Sequence, residues 1–172
     1  MLSKQQIQQA ERNTQEYLRE GLLKKTTPNK DILQILIQNS EESLQEAQKT
    51  TSALWKIVIS YYAMFYAAKA ALLQNEYKVG DKIAHKVTSD ALIALLREPL
   101  SKELLDNYTD IQEQALNTMQ ADELIQNFEY ERKKRGFIQY TTTQQAKDSK
   151  AQTSLKRAKE FVLVMKKLIT NP

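Results

Sequence analysis

The densest run of charge in the chain is Arg132-Lys133-Lys134-Arg135, which we call the basic cluster. Guanidinium and ammonium groups hold phosphate oxygens through charge-assisted hydrogen bonds, so four consecutive cations form a candidate phosphate-binding site. Phe137 and Tyr140 follow closely enough to stack on a nucleobase. A structural alternative exists, because cations in the last turn of a helix ended by Gly136 would complement the helix dipole. The sequence leaves both interpretations open.

The charge of the chain is unevenly distributed. Residues 130–172 hold 11 Lys and Arg against three Asp and Glu, whereas residues 1–129 hold 14 against 18. A basic quarter on a mildly acidic body would attract a phosphate-bearing or acidic partner. A solvated face of the last helix explains the same charge equally well.

Few other residues offer chemistry. His85 is the single histidine, and its position before a helix suggests a loop or capping role more than a catalytic one. Asp81 and Asp90 are its only nearby acids, so no metal site is predicted. The chain has no cysteine, no Gly-rich phosphate loop and no Gly-x-Ser-x-Gly motif, and we expect no cofactor.

Helix breakers are scarce, with only three glycines and three prolines between long stretches rich in Gln, Glu, Lys, Leu and Ala. This composition predicts an all-α fold, an up-and-down bundle of about five to six helices with almost no strand. The length of 172 residues predicts a single domain over residues 1–172. The first helix, over about residues 3–24, is either part of that domain or an appendage to it.

Capping signals predict the helix boundaries. Ser3 and Gln6 have capping-box spacing at the start of the first helix. Thr27 is the predicted cap of the second helix, with Pro28 at its first position and a turn around residues 50–52 at its end. The later helices are predicted over about 57–73, 86–97, 101–135 and from a start between 142 and 149 to about 169, with loops at 75–81 and 137–143.

The predicted third helix is apolar nearly all round, over residues 57–73. It contains Ser60, three tyrosines and Lys69, so a buried core helix is a better interpretation than a membrane span. Alanines at positions 63, 67 and 71 would leave a smooth strip on which a neighbouring helix can lie closely. We expect Tyr61, Tyr62 and Tyr66 in the core or at an interface.

This helix resembles the signature of the HEPN family (higher eukaryotes and prokaryotes nucleotide-binding). The resemblance covers about residues 30–169, and its most specific part is the string around Tyr61-Tyr62-Ala63-Met64-Phe65. Weaker pieces follow in the family's order. They are Ala84-His85, then Arg132 and Arg135, then Ala158-Lys159-Glu160-Phe161-Val162.

The resemblance implies a helical bundle that pairs as a homodimer and a link to RNA. Many family members are metal-independent ribonucleases or inactive relatives, often acting with a small nucleotidyltransferase as toxin and antitoxin. Active members carry Arg, then four to six intervening residues, then His, so the implied catalytic pair here is Arg135 with Tyr140 in the place of the His. Tyrosine, with a pKa of about 10, is a poor base at neutral pH, which argues against robust nuclease activity.

We therefore expect a cytoplasmic HEPN-like protein that binds RNA or a nucleotidyltransferase partner through the basic cluster and Phe137. Its N-terminus lacks the apolar core of a signal peptide, and no membrane association is expected. Two alternatives remain. One is a metal-independent endoribonuclease using Arg135 and Tyr140, and perhaps His85, and the other is a purely structural helical dimerisation module.

Overall fold

The computed structural model describes residues 2–132 and 140–170, and the side chains of residues 2–120 and 147–170. This part of the chain forms six helices and two short strands. In chain order they are α1 (Lys4–Glu20), β1 (Leu23–Lys25), α2 (Lys30–Lys49), α3 (Ala53–Gln74), β2 (Tyr77–Val79), α4 (Ala84–Leu95), α5 (Lys102–Arg132) and α6 (Tyr140–Thr170). The predicted all-α fold class is confirmed.

The helix ends show which capping predictions were right. Ser3 and Gln6 form the complete capping box of α1, as predicted. At the start of α5 the Ser101 hydroxyl accepts from the Leu104 amide. The prediction for α2 was wrong, because Asn29 is its N-cap and accepts from the Ile32 amide. An Asn oxygen satisfies a free amide at a helix start as well as a Thr hydroxyl does, so the boundary moves two residues on.

α3 is the centre of the bundle and packs against α2, α4, α5 and α6. The alanine strip is confirmed, since Ala63, Ala67 and Ala71 are all buried. At its first position the Ser40 hydroxyl of α2 donates to the Ala63 carbonyl oxygen over 2.7 Å, a contact that only a close helix approach permits. Among the helices in the described ranges, α3 alone is long and apolar enough to span a membrane. Its apolar window is 72% buried inside the fold, as in the core helix of a soluble protein.

A two-stranded antiparallel sheet was not predicted. β1 pairs with β2 in the register Leu23 to Val79, and the sheet lies in segments predicted as the end of the first helix and as a loop. Gly21, in the left-handed conformation, ends α1 early. A side chain at Gly80 would lie 3.1 Å from the Leu22 carbonyl oxygen, which accepts the Gly80 amide. The close approach of the two strands therefore favours glycine there.

α1 lies against α4. One carboxylate oxygen of Asp90 accepts from the Asn13 amide over 2.9 Å and from the Tyr17 hydroxyl over 2.8 Å. The Leu2 backbone amide donates to Asp106 of α5 over 2.8 Å. These contacts join the N-terminal helix to elements that follow much later in the sequence.

Candidate functional site

The basic cluster falls at the connection between α5 and α6. Arg132 is the last residue of α5, and the side chain of Arg132 lies outside the described part of the structure. Lys133, Lys134, Arg135 and Phe137 lie outside the described residues altogether. Tyr140 is the first residue of α6, so the prediction of a loop over residues 137–143 was wrong for Tyr140–Thr143. A run without Gly or Pro from Phe137 onwards allows the helix to begin this early.

α6 extends the positive charge of this region along its length. Its side chains at Lys147, Lys150, Lys156, Lys159 and Lys167 are exposed, and Arg157 is half-buried. The Lys166 ammonium is paired with Glu41 of α2. α6 therefore presents a basic surface to solvent while its apolar side packs into the core.

A second cluster of polar groups surrounds His85, which lies in the first turn of α4 and not in a preceding loop. Its Nδ1 atom is 2.8 Å from the Tyr61 hydroxyl of α3. Gln112 of α5 donates from Nε2 to the Tyr61 hydroxyl over 3.1 Å and to the His85 carbonyl oxygen over 3.0 Å. Three helices thus meet at one hydrogen-bonded group, which we call the Tyr61–His85–Gln112 network.

The hydrogen-bond pattern fixes the orientation of the Gln112 amide. A carbonyl oxygen only accepts, so the Gln112 group facing the His85 carbonyl must be the amide NH₂. The Tyr61 oxygen accepts from the same NH₂ and keeps one proton and one lone pair, so its hydrogen bond with His85 Nδ1 follows the tautomer of the imidazole.

Burial controls the protonation of this network. Desolvation lowers the pKa of His85, and the positive charge of Lys69 lowers it further. Desolvation also raises the pKa of Tyr61 to about 12. Both shifts favour the neutral forms, because an apolar environment penalises charge.

Aromatic rings enclose the histidine. The Phe65 ring centroid lies 4.5 Å from that of His85, with Tyr61 at 5.4 Å and Tyr62 at 5.8 Å. The Lys69 ammonium lies 5.4 Å from the Phe65 ring centroid, where a cation interacts favourably with the ring face. Tyr61 and Phe65 are buried, and Tyr62 and Tyr66 are half-buried. Tyr61 therefore lies in the core, as expected, whereas Tyr62 and Tyr66 lie only partly in it.

This arrangement gives His85 a structural role within one chain. Gln112 lies 20 residues before Arg132 on α5, which is about 30 Å along the helix axis. His85 is therefore far from the end of α5, where Arg132 lies. Within the described residues no group of three or more His, Cys, Asp or Glu side chains could hold a metal ion.

The role of Gln112 was missed by the sequence analysis. It lies in a polar stretch of α5 with no motif around it, and its partners are 51 and 27 residues away in sequence. Only the packing of α3, α4 and α5 brings these side chains together.

No protein-family model matches this chain, and no curated protein matches it.

Proposed function

We propose that this chain is a HEPN-like helical protein that binds RNA through the basic cluster, without robust nuclease activity. The observation that carries the proposal is the basic surface of α6, which leads from the core of the bundle to the α5–α6 connection. Exposed cations neutralise phosphates and release condensed counterions, which supplies sequence-independent affinity for RNA. A nucleotidyltransferase partner in a toxin–antitoxin pair is the rival ligand for the same surface.

The hydrogen bonding of His85 supports the proposed lack of robust nuclease activity. A metal-independent ribonuclease needs a base near neutral pKa beside the cation that holds the scissile phosphate. His85 is the single histidine of the chain, and it is held in the Tyr61–His85–Gln112 network. Tyr140 would have to serve as the base, and a phenol is protonated at neutral pH.

The proposal includes pairing with a second copy through an open face of α3. Trp55, Ile59, Tyr62, Tyr66 and Lys69 are spaced four and three residues apart, and all five are exposed or half-buried. This is the heptad spacing of a helix that packs against another helix. In an antiparallel pair centred on Tyr62, Lys69 of one copy would lie beside Trp55 of the other, where a cation–π contact forms.

RNA binding measured across a salt series tests the proposal. Replacing Arg132, Lys133, Lys134 and Arg135 together with Gln should weaken binding to a single-stranded RNA and flatten the dependence of log affinity on log salt. Stability should fall by only a few tenths of a kcal/mol per charge, since exposed charges at a helix end act weakly. A folded variant with the wild-type slope would contradict RNA binding at the basic cluster. Metal-free incubation with the same RNA should yield no cleavage products.

A further inference from the structure

A polar groove runs between α5 and α6 on the surface of the bundle. It is lined by Gln114 of α5 and by Ser149, Lys150, Thr153, Ser154 and Arg157 of α6. Every lining residue carries a hydrogen-bonding side chain, and two carry a positive charge. Two other grooves in the described part of the surface are lined mainly by apolar side chains.

The two cations of this groove are on the same face of α6. Lys150, Ser154 and Arg157 are spaced at i, i+4 and i+7, so they are aligned over two helical turns. The Cα atoms of Lys150 and Arg157 are about 10 Å apart along the axis. Lys156 and Lys159 are exposed on the opposite side of the same helix.

Arg157 is only loosely held by protein groups. Within the described residues it forms an ion pair with Asp110, at a nitrogen–oxygen distance of 3.8 Å, and the two side chains are 36% and 59% exposed. An exposed ion pair at this distance contributes little, so a better acceptor can replace it. The guanidinium fork fits two phosphate oxygens at once.

The groove is directed towards the end of α5 and the start of α6. Asp110 faces Arg157, and Gln114, later on α5, shares the groove with Lys150, which is earlier on α6. The two helices are therefore antiparallel along the groove. Lys150 is ten residues from Tyr140, about 15 Å along α6. A strand held at the connection between the helices would enter this groove directly.

We propose that the α5–α6 groove is a phosphate subsite for RNA, in which Lys150 and Arg157 hold successive parts of the sugar–phosphate backbone and Asp110 competes for Arg157. This inference rests on the proposed function, and it assigns part of the RNA contact to residues outside the basic cluster. None of the described residues that line the groove is aromatic, so we expect it to recognise the backbone and not the base.

Matched double variants of the full chain test the groove. Lys150→Gln with Arg157→Gln removes two charges from the groove, and Lys156→Gln with Lys159→Gln removes two from the opposite face. The probe is a fluorescently labelled oligouridylate of about 12 nucleotides, a length typical of single-strand sites. The groove variant should bind about tenfold more weakly, with a salt slope shallower by about 1.4, the value for two phosphate contacts on a single strand. The opposite-face variant lowers the charge of the basic α6 surface without touching the groove, so its salt slope should change by less than about half as much.

A gain of affinity provides an independent test. Asp110→Asn removes the competing carboxylate and should strengthen binding severalfold, whereas Glu160→Gln, which removes an exposed acid of α6, should not. Circular dichroism should show wild-type helicity for all these variants.

The remaining outcomes of these experiments would contradict the groove, the proposed function or the choice of RNA as the ligand. Equal weakening by the two double variants, or none by the groove variant, would overturn the groove while leaving RNA binding intact. Failure of the wild-type chain to bind would overturn the proposed function and the groove with it. Labelled polyglutamate that binds as tightly as the RNA and is equally weakened by the groove variant would overturn the RNA assignment in favour of an acidic protein surface.

Discussion

The Tyr61 hydroxyl is hydrogen-bonded to His85 Nδ1 over 2.8 Å, and the same hydroxyl accepts from Gln112 on a third helix. Tyr61→Phe would leave a half-buried imidazole nitrogen without its hydrogen-bond partner. We expect a loss of about 1–3 kcal/mol in the free energy of unfolding, measured with urea. Tyr62→Phe is the control, because the Tyr62 side chain is half-buried and substitutions away from such networks change stability by about 0.5 kcal/mol or less. Equal losses for both variants would contradict the network.

The lowered pKa of His85 predicts a pH dependence of stability. The folded chain favours neutral His85, whereas the unfolded chain titrates at the ordinary value of 6.5. The stabilising contribution is therefore complete above the unfolded pKa and is lost as the pH falls from there towards the lower folded pKa. His85→Asn should flatten the stability profile between about pH 8 and about pH 5.5, relative to wild type.

NMR can check the same prediction directly. His85 is the only histidine, so its ring signals titrate without overlap from others. A midpoint at or above 6.5 in the folded chain would contradict the burial of the ring described here.

Phe65 is a core residue, only 6% exposed, with its ring against those of His85 and Tyr61. Phe65→Ala should cost about 3–5 kcal/mol, as large-to-small changes in cores do. Tyr66→Ala, at the half-buried neighbour, should cost distinctly less. A loss for Phe65→Ala below about 1 kcal/mol in denaturant unfolding would be incompatible with the packing of α3.

The open face of α3 predicts a homodimer. Trp55→Glu should shift the chain from dimer to monomer in sedimentation experiments, because it places a charge in an apolar contact. Leu163→Glu is a matched control, since Trp55 and Leu163 are 54% and 56% exposed but lie on different helices. A wild-type chain that sediments only as a monomer at micromolar concentration would rule out the pairing.

The sequence predicted those parts of the fold that depend on local signals. The capping box of Ser3 and Gln6 and the all-round apolar helix around Phe65 are encoded within a few residues, and the structure contains both. β1 was missed because Leu23-Lys24-Lys25 has no strand signal of its own and pairs with residues more than 50 positions away. Residues this far apart in sequence meet only through the tertiary fold, which local propensity does not encode.

The candidate sites also differ in whether local sequence or tertiary packing brings their residues together. The basic cluster is a contiguous run and was visible at once, although its side chains lie outside the described part of the structure. The hydrogen-bonding role of His85 was missed, because nothing near it in sequence reveals Tyr61 and Gln112 as partners. The α5–α6 groove combines Gln114 with residues more than 30 positions later, so no motif marks it.

The attachment of α1 to Asp90 has a consequence for synthesis on the ribosome. Asn13 and Tyr17 precede their acceptor by 77 and 73 residues, and the Leu2 amide precedes Asp106 by 104. At the usual 5–20 residues per second, α1 emerges roughly 4–15 seconds before α4 exists to receive it. During that interval its apolar stripe has no native surface to cover it. The N-terminal helix is thus made early but meets these partners only after α4 and Asp106 have been synthesised, and this delay is the period in which a chaperone would find it exposed.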